Sequence, residues 1–254
     1  MSLEAIIFDV DGTLAETEEV HRAAFNLSFR DAGLTWHWDQ ALYGRLLQVT
    51  GGKERIHHYI DSQRQDEALA RTTATIASLH AAKTAHYTHL VERGAMGLRP
   101  GFAALLEQAR AAGVRLAIAT TTSLPNVAAL LRTALGERAE GCFEVIAAGD
   151  TVAHKKPAPD IYLSALERLR LSASACLAIE DSRHGVRAAL AAGIATIAVR
   201  SAYTREQDFS GAALVVDALE EVPARLGASD LLAALRVLHD RASNKPGNSS
   251  KPSM

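Results

Sequence analysis

Two carboxylates and a glycine follow the first apolar run of the sequence. In the stretch FDVDGTLAETEEVH, Asp9 and Asp11 come just after a run of four apolar residues, and Gly12 follows them. A buried charge is costly unless a partner group or a cation compensates it. The pair is therefore either a cation-binding catalytic site or only the turn that ends a strand, because Asp also favours turns.

Further polar residues follow three later apolar runs. Thr120 stands in ATTTS, Lys156 in HKKPAPD, and Glu180 and Asp181 in IEDS. Ligands of an open parallel sheet bind beyond the carboxyl ends of its strands, so these residues are expected at one edge. Carboxylate oxygens without opposing charge favour Mg²⁺, and a hydroxyl and a lysine beside it suit a phosphoryl group.

Each of these motifs also has a purely structural explanation. KPAPD could be only a helix start with proline in its first turn, and TTTS and EDS could be only helix N-caps. All of these explanations would have to coincide at the same sheet edge. We therefore favour the interpretation as a phosphoryl-transfer site.

The apolar runs alternate with helical patterns along most of the chain. The predicted strands are residues 5–9, 115–120, 145–148, 177–180, 196–199 and 214–216. The predicted helices between them are residues 102–112, 125–134, 160–168 and 185–192. Near-continuous apolarity indicates strands covered on both faces, and the alternation predicts a doubly wound α/β domain with a parallel sheet.

One segment contains helical patterns only, and it follows the first strand. These patterns lie at residues 20–32, 38–47, 52–63 and about 66–92, and the return path ERGAMGLRPG is typical of a linker. The expected organisation is a discontinuous core (1–15 and 94–231), a helical cap (16–93), and a remnant of a terminal helix with a disordered tail (232–254).

The four motifs DVDGT, ATTTS, KKPAPD and IEDS, in this order, resemble those of the haloacid dehalogenase superfamily of aspartyl phosphotransferases. The resemblance implies a Rossmann-like core with a parallel sheet and an all-α cap of the C1 type. It implies that Asp9 is the nucleophile, forming an aspartyl-phosphate, and that Asp11 is the general acid and base. It also implies that Thr120 and Lys156 bind the transferring phosphate.

The same resemblance implies a Mg²⁺ cofactor. The ion would be held by the side chain of Asp9, the main-chain carbonyl of Asp11 and the side chain of Asp181, with Glu180 supporting them. It would neutralise charge that otherwise keeps a carboxylate nucleophile away from a phosphate.

The cap segment contains candidate substrate contacts. Thr17, His21 and Lys83 match positions that contact substrate or acid in sugar phosphatases and β-phosphoglucomutases of this superfamily. The cap is expected to supply specificity and to exclude water.

A second anion site is expected at TGGKER in the cap. Gly51 and Gly52 offer backbone N–H groups at a predicted helix start, and Lys53 and Arg55 stand beside them. A solvated helix start is the plainer explanation. The spacing is not that of a P-loop, and no strand precedes it. An anion site here would imply a substrate with a second phosphate.

The stretches TGGKERI, IATTTS and HKKPAPDIY are most similar to the CbbY-type phosphatases of the superfamily, which convert xylulose-1,5-bisphosphate to xylulose 5-phosphate. A β-phosphoglucomutase-type mutase remains the alternative, although GGKER replaces the mutase loop with its single arginine. A third possibility is a non-catalytic phospho-Asp signalling or phosphate-binding protein. Asp11 argues against it, since a general acid and base would shorten the life of the signal.

The composition and charge of the chain argue against a few classes of binding partner. The chain has 254 residues and a net charge of −2, so no overall basic field favours nucleic acid or anionic lipid. No apolar run reaches the length of a membrane span, and the first residues do not form a signal peptide. Cys142 and Cys176 have no metal-binding spacing. We expect a cytoplasmic monomer whose partner is a phosphorylated sugar.

Histidine pairs and two tryptophans have structural explanations. His57 with His58 and His86 with His89 lack acidic partners at ligand spacing, which predicts surface or structural roles. The two tryptophans, Trp36 and Trp38, are expected to pack inside the cap.

Overall fold

The computed structural model describes residues 2–63, 73–94, 96–139, 141–149 and 151–243. Its centre is a parallel six-stranded sheet with the order β3-β2-β1-β4-β5-β6. The strands are β1 (Ala5–Phe8), β2 (Arg115–Thr120), β3 (Val145–Ala148), β4 (Cys176–Glu180), β5 (Ala195–Val199) and β6 (Leu214–Val216). The predicted parallel α/β fold is confirmed, and each strand boundary agrees with the prediction to within one residue.

Strand register sets the position of the polar motifs. Phe8 of β1 is opposite Ile118 of β2 on one side and Ile179 of β4 on the other. The residues that follow these three positions therefore leave the sheet at the same level. All four residues of β1 are buried, since the sheet is covered on both faces.

The helices before β2 are α1 (Glu18–Asp31), α2 (Gln40–Leu46), α3 (Gly52–Gln63), α4 (Thr73–Arg93) and α5 (Phe102–Ala111). The later helices are α6 (Leu124–Leu135), α7 (Asp160–Leu169), α8 (Arg183–Ala191), α9 (Val222–Leu226) and α10 (Leu231–Ser243). Helix α8 begins two residues earlier than predicted, because the Ser182 hydroxyl accepts from the N–H of Gly185 and caps its first turn. None of the described helices combines the length and the apolarity needed to cross a bilayer.

Helices α1 to α4 form the all-α cap that was predicted. Helix α1 packs along α4, and α3 packs on α4. Aromatic rings fill the space between the helices: the Trp38 ring lies 4.6 Å from that of Phe25 and 4.9 Å from that of Phe29, measured between centroids. Trp36 contacts Phe29 in the same cluster. The expectation that both tryptophans pack inside the cap is confirmed.

Helix α10 contributes to the core rather than ending the chain as an isolated element. Leu231, Leu232, Leu235 and Leu238 pack into the same cluster as β1 and α5. The predicted start of the long cap helix at residue 66 and the predicted tail beyond residue 243 lie outside the described residues. The residue boundaries of core and cap stay a prediction.

Candidate active site

Lys156 joins two of the predicted acids at the carboxyl end of the sheet. Its Nζ donates to Asp9 Oδ1 and to Glu180 Oε1, each at 2.6 Å, and to the carbonyl oxygen of Ala119 at 2.9 Å. An ammonium group has three hydrogens, so these three acceptors use all of them. All three charged side chains are buried. Burial would lower the pKa of Lys156, but the charges of Asp9 and Glu180 raise it above its ordinary value.

Asp181 completes a group of three buried carboxylates. Oxygen atoms of Asp9, Glu180 and Asp181 all lie within 4.8 Å of one another. Burial, opposed by Lys156, raises the pKa of Asp9 to about 8. Burial and the charges of Asp9 and Glu180 raise the pKa of Asp181 well above its usual range.

The donor set of this group fits a divalent cation. If all three carboxylates were ionised, as a bound cation would favour, the single ammonium group of Lys156 would leave two negative charges for a divalent ion to balance. All of the offered ligand atoms are oxygens, which suits Mg²⁺. The expectation that the histidine pairs lack acidic partners is wrong, since His57 pairs with Asp61 at 2.8 Å and His86 with Asp31 at 2.7 Å. Each is a single ion pair, and in the described ranges neither histidine belongs to a group of three possible metal ligands.

The Asp11 side chain points away from that group, toward the cap. Its Oδ1 accepts from the Thr17 hydroxyl at 2.5 Å and lies 2.8 Å from Nε2 of His21. Burial would raise the pKa of Asp11, but the attraction of His21 in its protonated form and the hydrogen bonds from His21 and Thr17 outweigh burial and hold the pKa well below its usual range. Thr17 and His21, at the entry to the cap, therefore act on the second acid and not on the first.

Lys83, on α4, extends this network. Its Nζ lies 2.6 Å from Nδ1 of His21 and 5.2 Å from the centre of the Tyr87 ring. The Tyr87 ring stacks on His21 at 4.1 Å between centroids. Burial lowers the pKa of Lys83 to about 7, with Asp11 opposing the change and Arg55 adding to it. The three predicted cap residues thus form one chain of contacts that ends at Asp11.

Two glycines allow the loops to approach the acids closely. Gly12 has φ +83°, a conformation that favours glycine, and a Cβ there would lie 2.1 Å from Asp181 Oδ2. A Cβ at Gly185, in α8, would lie 2.0 Å from the Glu180 carboxyl group. Each position therefore requires a residue without a side chain for the acids to keep their places.

A cavity lies between this end of the sheet and the cap. Its lining includes most of the predicted site residues: Asp9, Asp11, His21, Gly52, Arg55, Lys83, Thr120, Lys156 and Asp181. Arg55 is held in place by the carbonyl oxygens of Leu46 and Val49, both at 3.3 Å. Lys53 stands apart, since it lines a neighbouring cavity with His80 and Lys155. The proposed cap anion site thus has Gly52 and Arg55 facing the acids, with Lys53 to one side.

Several residues at the site were not identified from the sequence. Glu18, His184 and Thr204 line the cavity, and the Tyr162 hydroxyl donates to Glu180 Oε1 at 2.7 Å. Tyr162 ends the quoted stretch HKKPAPDIY, and Glu18 follows Thr17. Their positions next to predicted site residues could therefore have identified both of them. Thr204 stands 23 residues beyond Asp181, with no motif around it.

Three comparisons with known proteins agree with this geometry. A family description of haloacid dehalogenase-like hydrolases matches residues 3–193. Protein CbbY of Rhodobacter capsulatus is 53% identical over 84% of this chain and 92% of its own length. The plasmid-encoded CbbY of Cupriavidus necator is 49% identical over 93% of this chain and 97% of its own.

A solved structure matches in three dimensions as well. The crystal structure of a CbbY mutant from Rhodobacter sphaeroides in complex with xylulose-1,5-bisphosphate has a TM-score of 0.82 and 49% identity. The match covers 87% of this chain and 96% of that one. This chain belongs to the haloacid dehalogenase-like hydrolase family, and it is a phosphatase of that family.

Proposed function

We propose that the protein removes the C1 phosphate of xylulose-1,5-bisphosphate through an aspartyl-phosphate on Asp9, giving xylulose 5-phosphate. The observation that carries the chemistry is the contact of Lys156 with Asp9 inside a group of three buried carboxylates. The choice of this sugar as the substrate is based on the relatives, since a CbbY of 49% identity binds this bisphosphate in its crystal structure.

In the first half-reaction, the Asp9 carboxylate attacks phosphorus and the bond to the sugar oxygen breaks. Asp11 must carry a proton at this step, although its contacts with Thr17 and His21 favour the ionised form in this structure. It gives that proton to the sugar oxygen, and the sugar leaves as an alcohol. In the second half-reaction, water attacks the phosphorus of the aspartyl-phosphate. Asp11 takes the proton of the water, and the Asp9 carboxylate is restored as inorganic phosphate leaves.

The other residues hold charge and position. Thr120 and Lys156 bind oxygens of the transferring phosphoryl group. Lys156 gives up one of its three present acceptors to do so, since Asp9, Glu180 and the Ala119 carbonyl use all of its hydrogens in this structure. Mg²⁺ would be held by Asp9, the carbonyl of Asp11 and Asp181, with Glu180 supporting. When bound, the ion supplies the positive charge that lets a carboxylate approach a phosphate.

The cap supports a substrate with a second phosphate. Gly52 and Arg55 face the same cavity as Asp9, and Arg55 brings a guanidinium group to it. Guanidinium groups bind phosphate through paired hydrogen bonds. Thr17, His21 and Lys83 hold Asp11 from the cap side, so acid catalysis depends on the cap being closed over the sugar.

The mutase alternative uses the same half-reactions up to the aspartyl-phosphate, but it returns the phosphoryl group to a sugar. Incubation with xylulose-1,5-bisphosphate, β-glucose 1-phosphate and simple monophosphates, with and without Mg²⁺, separates the possibilities. We expect inorganic phosphate and xylulose 5-phosphate from the bisphosphate, and no product with Asp9→Asn. Release from monophosphates alone would exclude the bisphosphate assignment. Interconversion of glucose phosphates without release would favour the mutase.

A further inference from the structure

One arginine side chain donates to four carbonyl oxygens and pairs with one carboxylate beside the loop that carries Asp11 and Gly12. Arg99 lies in the linker that returns from the cap, and its side chain is 11% exposed. Its Nη1 donates to the carbonyl oxygens of Gly12 and Val199, and its Nη2 to those of Arg200 and Asp217. A guanidinium group has five N–H donors, and the fifth, Nε, lies 3.4 Å from Glu16 Oε1.

These contacts join both cap linkers to the acid-bearing loop. Glu16 lies in the linker that leads into α1, and Arg99 in the linker that leads back from α4. The main chain adds a further link, since the N–H of Arg99 donates to the carbonyl oxygen of Leu14 at 2.8 Å. Gly12 follows Asp11 directly, so the guanidinium group holds the turn that carries the proposed acid.

The same side chain holds a second turn that contacts Asp181. The Arg200 carbonyl oxygen accepts from Arg99 Nη2 at 2.6 Å, and the next residue, Ser201, donates its N–H to Thr204 Oγ1 at 3.0 Å. The Thr204 hydroxyl lies 3.5 Å from Asp181 Oδ2. Arg99 therefore bridges two loops that meet at the acids.

We propose that Arg99 is a positioning residue that holds the Asp11–Gly12 turn in its catalytic place and couples it to the cap linkers. The proposal rests on the proposed roles of Asp9 and Asp11 but not on the identity of the sugar. A lysine keeps the charge, but its single ammonium group cannot reach carbonyl oxygens on three separate loops. A small displacement of a catalytic group can lower the reaction rate by a large factor.

The test compares Arg99→Lys with Arg168→Lys. Arg168 also donates to a main-chain carbonyl oxygen, that of Ile146 at 2.7 Å, but at the far end of α7. With p-nitrophenyl phosphate as the probe, we expect kcat per folded molecule of Arg99→Lys to fall about tenfold or more, with KM changed less than about twofold. Arg168→Lys should match the wild type. A kcat per folded molecule within about twofold of wild type for Arg99→Lys would overturn the proposal.

A second variant keeps the test decisive if Arg99→Lys does not fold. Glu16→Ala removes only the link to the first linker, and Glu144→Ala, which loses an exposed pair with Arg115, is its control. We expect a two- to fivefold lower kcat for Glu16→Ala at an unchanged Tm, since exposed pairs add little stability. Unchanged kcat and KM would refute the coupling. Asp9→Asn should lose the hydrolysis that the wild type shows. Retained hydrolysis in Asp9→Asn would contradict the proposed reaction, independently of the result for Arg99.

Discussion

The ammonium group of Lys83 lies 2.6 Å from Nδ1 of His21. A charged lysine has only hydrogens to offer, so Nδ1 accepts and the ring proton belongs on Nε2. That nitrogen lies 2.8 Å from Asp11 Oδ1 and donates to it. The tautomer is assigned from these partners. While Lys83 is charged, which its pKa of about 7 confines to neutral and lower pH, it selects the form of His21 with the proton on Nε2 at the contact with Asp11.

Replacement of Lys83 by Met should change how stability depends on pH. The pKa of Lys83 falls from 10.5 to about 7 on folding, because of burial. Between those values the unfolded chain binds a proton that the folded chain has released, so this group makes the free energy of unfolding rise with pH. The contribution is at most about 1.4 kcal/mol per pH unit. Urea unfolding at pH 8, 9 and 10 should show a slope lower in Lys83→Met than in the wild type, and equal slopes would contradict the assignment.

Binding of Mg²⁺ should release protons near neutral pH. Burial raises the pKa of Asp9 to about 8, so its carboxyl group is largely protonated at pH 7 in the absence of a cation. A divalent ion favours the ionised form and displaces that proton. Titration calorimetry at pH 7 in buffers with different ionisation enthalpies would measure the release. Asp9→Asn should bind more weakly and release fewer protons, whereas buffer-independent heats in the wild type would rule the proton transfer out.

The strands and the acids at their ends could be predicted from sequence because both are local signals. An apolar run followed by Asp9, or by Glu180 and Asp181, predicts both a strand and the polar residues at its end from only a few neighbouring residues. The carboxyl ends of parallel strands meet at one edge of a sheet, which placed these residues together. Helix ends were less exact, as at α8, because a single serine hydroxyl decides where the first turn begins.

Contacts between distant loops could not be predicted in the same way. Arg99 binds carbonyl oxygens of Val199 and Asp217, which lie 100 and 118 residues away, and backbone carbonyls carry no sequence signal. Which cavity the Lys53 side chain lines depends on how α3 is rotated about its axis. A predicted helix start does not determine that rotation. Arg55 faces the cavity that Asp9 lines because the carbonyl oxygens of Leu46 and Val49 hold its guanidinium group, and these contacts form only when the cap helices pack together.

Removal of the Tyr162 hydroxyl should weaken the fold by a measurable amount. The hydroxyl donates to Glu180 Oε1, the same oxygen that accepts from Lys156, and all three groups are buried. A hydrogen bond to a charged group is worth about 1.5–3 kcal/mol, so Tyr162→Phe should lose stability in that range. Urea unfolding measures the loss. A change below about 0.5 kcal/mol would mean that the other partners of Glu180, Lys156 and the Asp181 N–H, orient it without Tyr162.

A methyl group at Gly185 should displace the Glu180 carboxyl group. The added Cβ would lie 2.0 Å from carboxyl atoms of Glu180, and these atoms are held by Lys156 and Tyr162. Overpacking of this kind costs about 1–3 kcal/mol, and the displaced carboxylate should weaken Mg²⁺ binding and lower kcat. Gly97→Ala is the matched control, because a Cβ there meets nothing within 4 Å. Calorimetric Mg²⁺ affinity and phosphate release should fall together in Gly185→Ala and stay unchanged in Gly97→Ala. Wild-type affinity in Gly185→Ala would show that Glu180 has no part in holding the ion.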